Sequence, residues 1–324
     1  ATSPTPAQAI DAIRRYYAER NATIHRSAHL LSAEASGSYA TIRERVARFD
    51  GAPDPMGVVF TRNTTEALNH LASAWGRANL REGDEVVTTL MEHHSSFLPW
   101  QRAAAEAGAR FRVIGLHDDL TLDMDELRGA LNERTKVVSL AHVSNVTGVE
   151  NPVAEVAALA REAGAITVVD AAQSVPHGPV DFTSLGCDAL AFSAHKMLGP
   201  TGVGCLVAGM EFLESLEPFE VGGGMIDEVT LDSFTLAPVP YRFEAGTPNI
   251  ADVVAFEAAL DYLERIGMDA VREHEQALTA RALEVLSRIE GVRILGPADP
   301  EEAAGIVSFL VDGTHTHDVS TILD

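Results

Sequence analysis

One unit recurs from residue 58 to residue 208: a short apolar run, then a stretch with helical spacing. The runs that read as strands are Val58–Thr61, Glu85–Thr89, Phe111–Ile114, Val137–His142, Ile166–Asp170, Ala189–Ser193 and Gly204–Ala208. Thr65–Trp75, Gln101–Ala107 and Pro152–Ala163 carry helical patterns between them. Ile166-Thr167-Val168-Val169 has no charged alternate position, which suits a strand covered on both faces. The alternation predicts an α/β fold, with a mostly parallel seven-stranded sheet and helices on both faces. Ser193 to Gly204 is too short for a crossover helix, so the last strand should run antiparallel. Upstream, Thr5-Pro6 opens a helix to about Glu19, with Ile10, Ile13 and Tyr17 on one face. A second covers Tyr39 to Phe49 around Ile42 and Val46. Downstream, Gly222-Gly223-Gly224 marks a loop, and a helical stretch from Ala251 to Ile289 breaks near Gly267. The strand at Ile306–Val311 begins a smaller unit. The expected division is a large domain over 1–260 and an incomplete small α+β domain over 261–324.

A length of 324 residues fits about two domains. The net charge of −23, from 24 Lys+Arg against 47 Asp+Glu, argues against nucleic acid and anionic membranes as partners. Two cysteines, Cys187 and Cys205, cannot make a secreted disulfide scaffold. No apolar run approaches the roughly 20 residues of a membrane span, and no signal segment opens the chain. A cytoplasmic protein is expected. The chain opens at Ala1 without Met, and the tail reads as a helix just begun, with Asp318 as N-cap, that Asp324 leaves short. Both ends read as cut. Val307, Phe309 and Val311 would then be left exposed.

Candidate chemistry sits at strand ends. Lys196 follows the strand Ala189–Ser193, where open α/β sheets bind ligands, and a lysine there can form a Schiff base with a carbonyl cofactor. Ser193 and His195 can donate to a phosphate. Alone, this motif is also compatible with a surface lysine. Asp170 closes a buried strand and needs a cation, which a protonated pyridine nitrogen would supply, and Gln173 could reach a ring hydroxyl. A plain helix cap is the alternative for Asp170. Asn63-Thr64-Thr65-Glu66 offers N–H groups and hydroxyls at a helix start, a phosphate site or a capping box or both. His93 or His94 could stack on an aromatic ring. The pair lacks metal-ligand spacing. His25 and His29 have i, i+4 spacing but no accompanying carboxylate or Cys cluster, so no metal site is expected. Cys187 and Cys205 read as buried and inert.

Together, Glu92-His93-His94, His142-Val143-Ser144-Asn145-Val146-Thr147-Gly148, Asp170-Ala171-Ala172-Gln173 and Ser193-Ala194-His195-Lys196 resemble the class V aminotransferase group of fold-type I pyridoxal 5'-phosphate (PLP) enzymes. Gly199-Pro200-Thr201-Gly202, Gly222-Gly223-Gly224-Met225-Ile226 and Arg242-Phe243-Glu244-Ala245-Gly246-Thr247-Pro248-Asn249 narrow the resemblance to the SUF-type cysteine desulfurase/selenocysteine lyase branch. The resemblance runs from about His25 to Asp324. It implies that Lys196 holds PLP and moves the substrate α-proton, that Asp170 pairs with the ring nitrogen, and that Gln173 contacts the ring oxygen. It implies that His93 stacks on the ring, that Thr64, Thr65, Ser193 and His195 bind the phosphate, and that Asn145 lies near ring and substrate. Gly246 and Thr247 would reach the phosphate of a neighbouring subunit in a homodimer, and His25 and Arg26 would sit at the site's mouth.

The implied function is a transferase taking sulfur from L-cysteine, leaving alanine and a persulfide, and passing the sulfur to an acceptor protein of iron–sulfur cluster assembly. Selenocysteine is a possible substrate. The branch's nucleophilic Cys loop and carboxylate-binding Arg have no counterpart before Asp324, so this chain alone is expected to turn over little. A sister aminotransferase, an epimerase, a selenocysteine lyase or a non-catalytic fragment are the alternatives.

Overall fold

The computed structural model describes residues 2–24 and 30–324. His25, Arg26 and His29 lie outside them. Seven strands form the main sheet: β1 (Val58–Thr61), β2 (Glu85–Thr89), β3 (Arg110–Ile114), β4 (Thr135–Ala141), β5 (Ile166–Asp170), β6 (Ala189–Ser193) and β7 (Gly204–Ala208). Their order is β1-β7-β6-β5-β4-β2-β3. β7 runs antiparallel to both neighbours and the other pairs are parallel. The short link after Ser193 has the consequence expected of it.

Successive strand residues face two separate cores. Phe60, Val138, Leu140, Val169, Leu190 and Phe192 face one. Val59, Val137, Val168, Ala189 and Ala191 face the other. Burial on both faces explains why these strands read as unbroken apolar runs.

The helices are α1 (Ala7–Arg15), α2 (Leu30–Phe49), α3 (Thr64–Asn79), α4 (His94–Ala107), α5 (Met124–Ala130), α6 (Val153–Glu162), α7 (Phe182–Leu185), α8 (Met210–Glu214), α9 (Ile250–Ile266), α10 (Met268–Leu286) and α11 (Thr316–Leu323). α3 and α4 pack on one face of the sheet, with Leu68, Leu71 and Trp100 in the core. α2 and α9 pack on the other through Tyr39, Ile42, Val46 and Phe256. β8 (Ile226–Val229) pairs with β9 (Phe234–Leu236), and β10 (Val292–Leu295) with β11 (Ser308–Val311).

Several local expectations need correction. α1 ends at Arg15 and passes into a wider turn at Tyr16–Arg20. Ile10 and Tyr17 are exposed, while Ala9 and Tyr16 are buried, so the inward face is rotated from the expected one. α2 starts nine residues earlier than read, and α4 seven, because Pro99 sits inside α4. Proline breaks most helix interiors, which is why the pattern was legible only after it. α11 is capped by His315, whose Nδ1 accepts from His317 N–H, and not by Asp318. Val307, Phe309 and Val311 are half-buried, not exposed, since β11 has β10 as its partner.

Candidate active site

β2 turns outward to β3, whereas β4 leads to β5 and β6 on the other side. The carboxyl ends of β2 and β4 therefore border a topological switch point, where open α/β sheets leave a crevice. A cleft of about 270 Å³ lies there, lined by Thr64, Thr65, His93, Asn145, Asp170, Gln173, Ser193, His195 and Lys196 among others.

The ends of β5 and β6 supply its floor. β5 ends at Asp170, which is only 6% exposed. Its Oδ1 accepts from Ala172 N–H at 3.0 Å. No helix starts there, so the bond makes a turn and not a cap. Burial pushes the carboxyl above the usual range, and the Ala172 bond, Lys196 and His93 only partly offset it. None of the ion pairs among the described residues includes Asp170. β6 ends at Ser193, and one tight turn, Ala194–Lys196, carries the lysine into the cleft. Burial lowers the Lys196 ammonium, and Asp170 opposes that shift. Gln173 is buried beside Asp170 in the lining.

The start of α3 forms one wall. Asn63 caps it by accepting Glu66 N–H at 2.9 Å, and Glu66 takes Arg62 N–H, so the capping box exists with its return bond one residue early. Thr64 N–H donates to Ser193 Oγ at 2.8 Å, and the two hydroxyls are 2.6 Å apart. This bond crosses above β7. A Cβ on Gly204 would lie 2.6 Å from Asn63 Cα, so only glycine lets the wall pass so close. Thr65 Oγ1 lies 2.7 Å from Ser95 Oγ, which lies 2.9 Å from His93 Nδ1. His93 is also the N-cap of α4 and takes Ser95 N–H at 3.1 Å. The lysine loop is pinned from behind. Ser3 N–H donates to the His195 carbonyl at 2.9 Å, and Leu198 N–H to Ser3 Oγ at 2.8 Å. Leu198 holds a left-handed φ of 65°, an uncommon state for leucine, next to the site. Burial, then Lys196, lowers the His195 imidazole.

Gly246 and Thr247 are not in this cleft. Both are exposed, and Thr247 lines an adjacent cleft that shares Asn63 with it. Reading residues at strand ends missed Ser95, which joins His93 to Thr65. Its signal was its place two residues after a helix-capping His. Cys187 and Cys205 are both buried, with thiols raised to about 12 and well above the usual range respectively.

The set fits PLP on its own terms. A buried carboxyl without an ion partner suits a ring cation, hydroxyls and N–H groups at a helix start suit a phosphate, and a buried lysine suits a carbonyl carbon.

The profile of the family described as Aminotransferase class-V matches residues 1–324. The chain belongs to that family. It is 49% identical over its whole length to the probable cysteine desulfurase 2 of Mycobacterium leprae and covers 78% of that relative. The apo structure of the cysteine desulfurase from Thermococcus onnurineus superposes with a TM-score of 0.94 at 42% identity, covering 100% of this chain and 80% of that one. C-DES, solved with glycine covalently linked to its PLP cofactor, aligns with a TM-score of 0.85 at 27% identity over 97% of this chain and 82% of its own. The fold is thus the fold-type I architecture of PLP-dependent cysteine desulfurases. No helix among the described residues is long and apolar enough to cross a membrane.

Proposed function

We propose that this chain carries the PLP- and cysteine-binding machinery of a cysteine desulfurase that feeds iron–sulfur cluster assembly. The observation that carries the reading is the buried Asp170 facing the same cleft as the desolvated Lys196, beside the hydroxyl-rich start of α3. When bound, PLP supplies an electron sink for the substrate's Cα. Asp170 holds the ring-nitrogen proton, and Gln173 orients the ring edge. Thr64, Thr65, Ser193 and His195 bind the phosphate, and His93 covers the ring face. Lys196 Nζ anchors the cofactor and then takes the α-proton, a task for which desolvation of its ammonium fits it. Asn145 orients substrate from the loop after β4.

The thiolate that receives sulfur is neither Cys187 nor Cys205, since burial keeps both thiols protonated and inaccessible. Sulfur transfer by these 324 residues therefore needs an external thiol, and slow turnover is expected. We further propose a cytoplasmic homodimer in which the exposed Gly246-Thr247 loop serves the partner's phosphate.

Added PLP should give a visible absorbance band. Borohydride should fix its mass on the peptide bearing Lys196, and Lys196→Ala should lose both. Absence of the band in the unaltered protein would overturn the reading. Alanine formed from cysteine with added thiol, compared with selenocysteine and with keto-acid-dependent amino transfer, separates desulfurase from lyase and aminotransferase.

A further inference from the structure

Glu92 stands one residue before His93 in the turn between β2 and α4, yet its side chain does not line the cleft. It reaches back into the protein. Its Oε1 accepts from Thr89 Oγ1 at 2.7 Å and from Ala141 N–H at 2.8 Å, while Oε2 is buried outside hydrogen-bond distance of any partner, with the Ser96 hydroxyl near enough to favour the charged form. The ladder between β2 and β4 ends at Thr88 and Ser139, so Ala141 N–H has no strand partner on that side. The carboxyl supplies the missing rung. Ala141 is in register with Asp170 on β5, and its carbonyl accepts from Asn151 Nδ2 at 2.7 Å. Glu92 thus ties the turn presenting His93 to the strand end that meets Asp170.

We propose that Glu92 is a positioning residue of this site, used for the shape of its carboxyl and not for its charge: it sets the spacing between the His93 wall and the Asp170 floor. The inference rests on the reading of this cleft as a PLP site. An acceptor is all that Thr89 and Ala141 require. Burial pushes the Glu92 carboxyl up to about 7, with Asp170 adding to the rise. Asp170, which faces the cleft, is the carboxylate whose negative charge the ring nitrogen needs.

The test compares Glu92→Gln, Glu92→Ala and Glu92→Asp by PLP titration and by amide hydrogen exchange of the 137–145 segment without cofactor. Glu92→Gln keeps the acceptor and should bind PLP within about threefold of the unaltered protein, with the same Ala141 protection. Glu92→Ala should bind at least tenfold more weakly, as expected on losing roughly one to two such bonds, and should expose Ala141 to exchange. Glu92→Asp keeps the charge but not the reach and should behave like Glu92→Ala, which covers the case of an alanine variant that fails to fold. Gln behaving like Ala, or Asp behaving like the unaltered protein, overturns the inference. If the unaltered protein binds no PLP, the cofactor reading falls, while exchange at Ala141 still judges Glu92.

Discussion

Cationic partners and burial set opposite proton affinities on two carboxylates that do not line the cleft. Glu150 is held down to about 2, first by His142, whose Nε2 lies 3.6 Å from its Oε1, and then by Arg272 on α10. Its folded pKa lies below its unfolded value, so its contribution is present above about pH 4.5 and is lost as pH falls towards 2. Arg272→Ala should therefore raise the acid-unfolding midpoint, read by circular dichroism. Glu92 has the opposite sign. With its pKa raised from 4.5 to about 7, its contribution is fullest below pH 4.5 and is lost as pH rises through 7. Glu92→Gln should flatten that part of the stability–pH curve, by on the order of 3 kcal/mol at most. Asp170, Gln173, Ser193 and Lys196 were legible as site residues because each sits at or just past a strand end. Glu92 was legible only as part of a motif, since its partners, Thr89 and the backbone of Ala141, come together only through the sheet's pairing.

The seven strands of the main sheet lie within two residues of where their apolar runs place them, because burial on both faces writes every strand but the edge strand β3 as a continuous signal. Helices gave less. α4 opens on the polar run His94-Ser95-Ser96 and is interrupted by Pro99, and α1 turns a different stripe inward from the one Ile10 and Tyr17 suggest. Gly204 on β7 is the element-scale feature with the clearest consequence. A Cβ there would meet backbone atoms of Asn63 at 2.6 and 2.7 Å and the Phe192 carbonyl at 2.9 Å. Gly204→Ala should cost about 1–3 kcal/mol as overpacking. It should also part Thr64 from Ser193, so PLP affinity is expected to fall along with the thermal midpoint. Unchanged PLP affinity in a folded Gly204→Ala protein would detach the phosphate site from the start of α3.

At the scale of the whole molecule, a net charge of −23 makes self-repulsion a general destabilising force. The thermal midpoint at pH 7 should rise as sodium chloride is added from low ionic strength; a flat or falling midpoint would show that local ion pairs outweigh it. The segment leading into β11 meets the main sheet at the loop that carries Asn145. Ala304 N–H donates to the Gly148 carbonyl at 2.9 Å, Ser308 Oγ to the Val146 carbonyl at 2.5 Å, and a Cβ on Gly148 would meet the Ile306 carbonyl at 2.6 Å. Gly148 also needs its φ of 73°. The side of the cleft proposed to face substrate is thus borrowed: its shape is held by residues 303–308, none of which line it. Gly148→Ala should leave the PLP band in place and weaken cysteine binding, measured as the concentration needed to perturb that band. Under the proposed function, recognition of substrate depends on the junction between the main sheet and the segment leading into β11, while the grip on cofactor belongs to the main sheet alone.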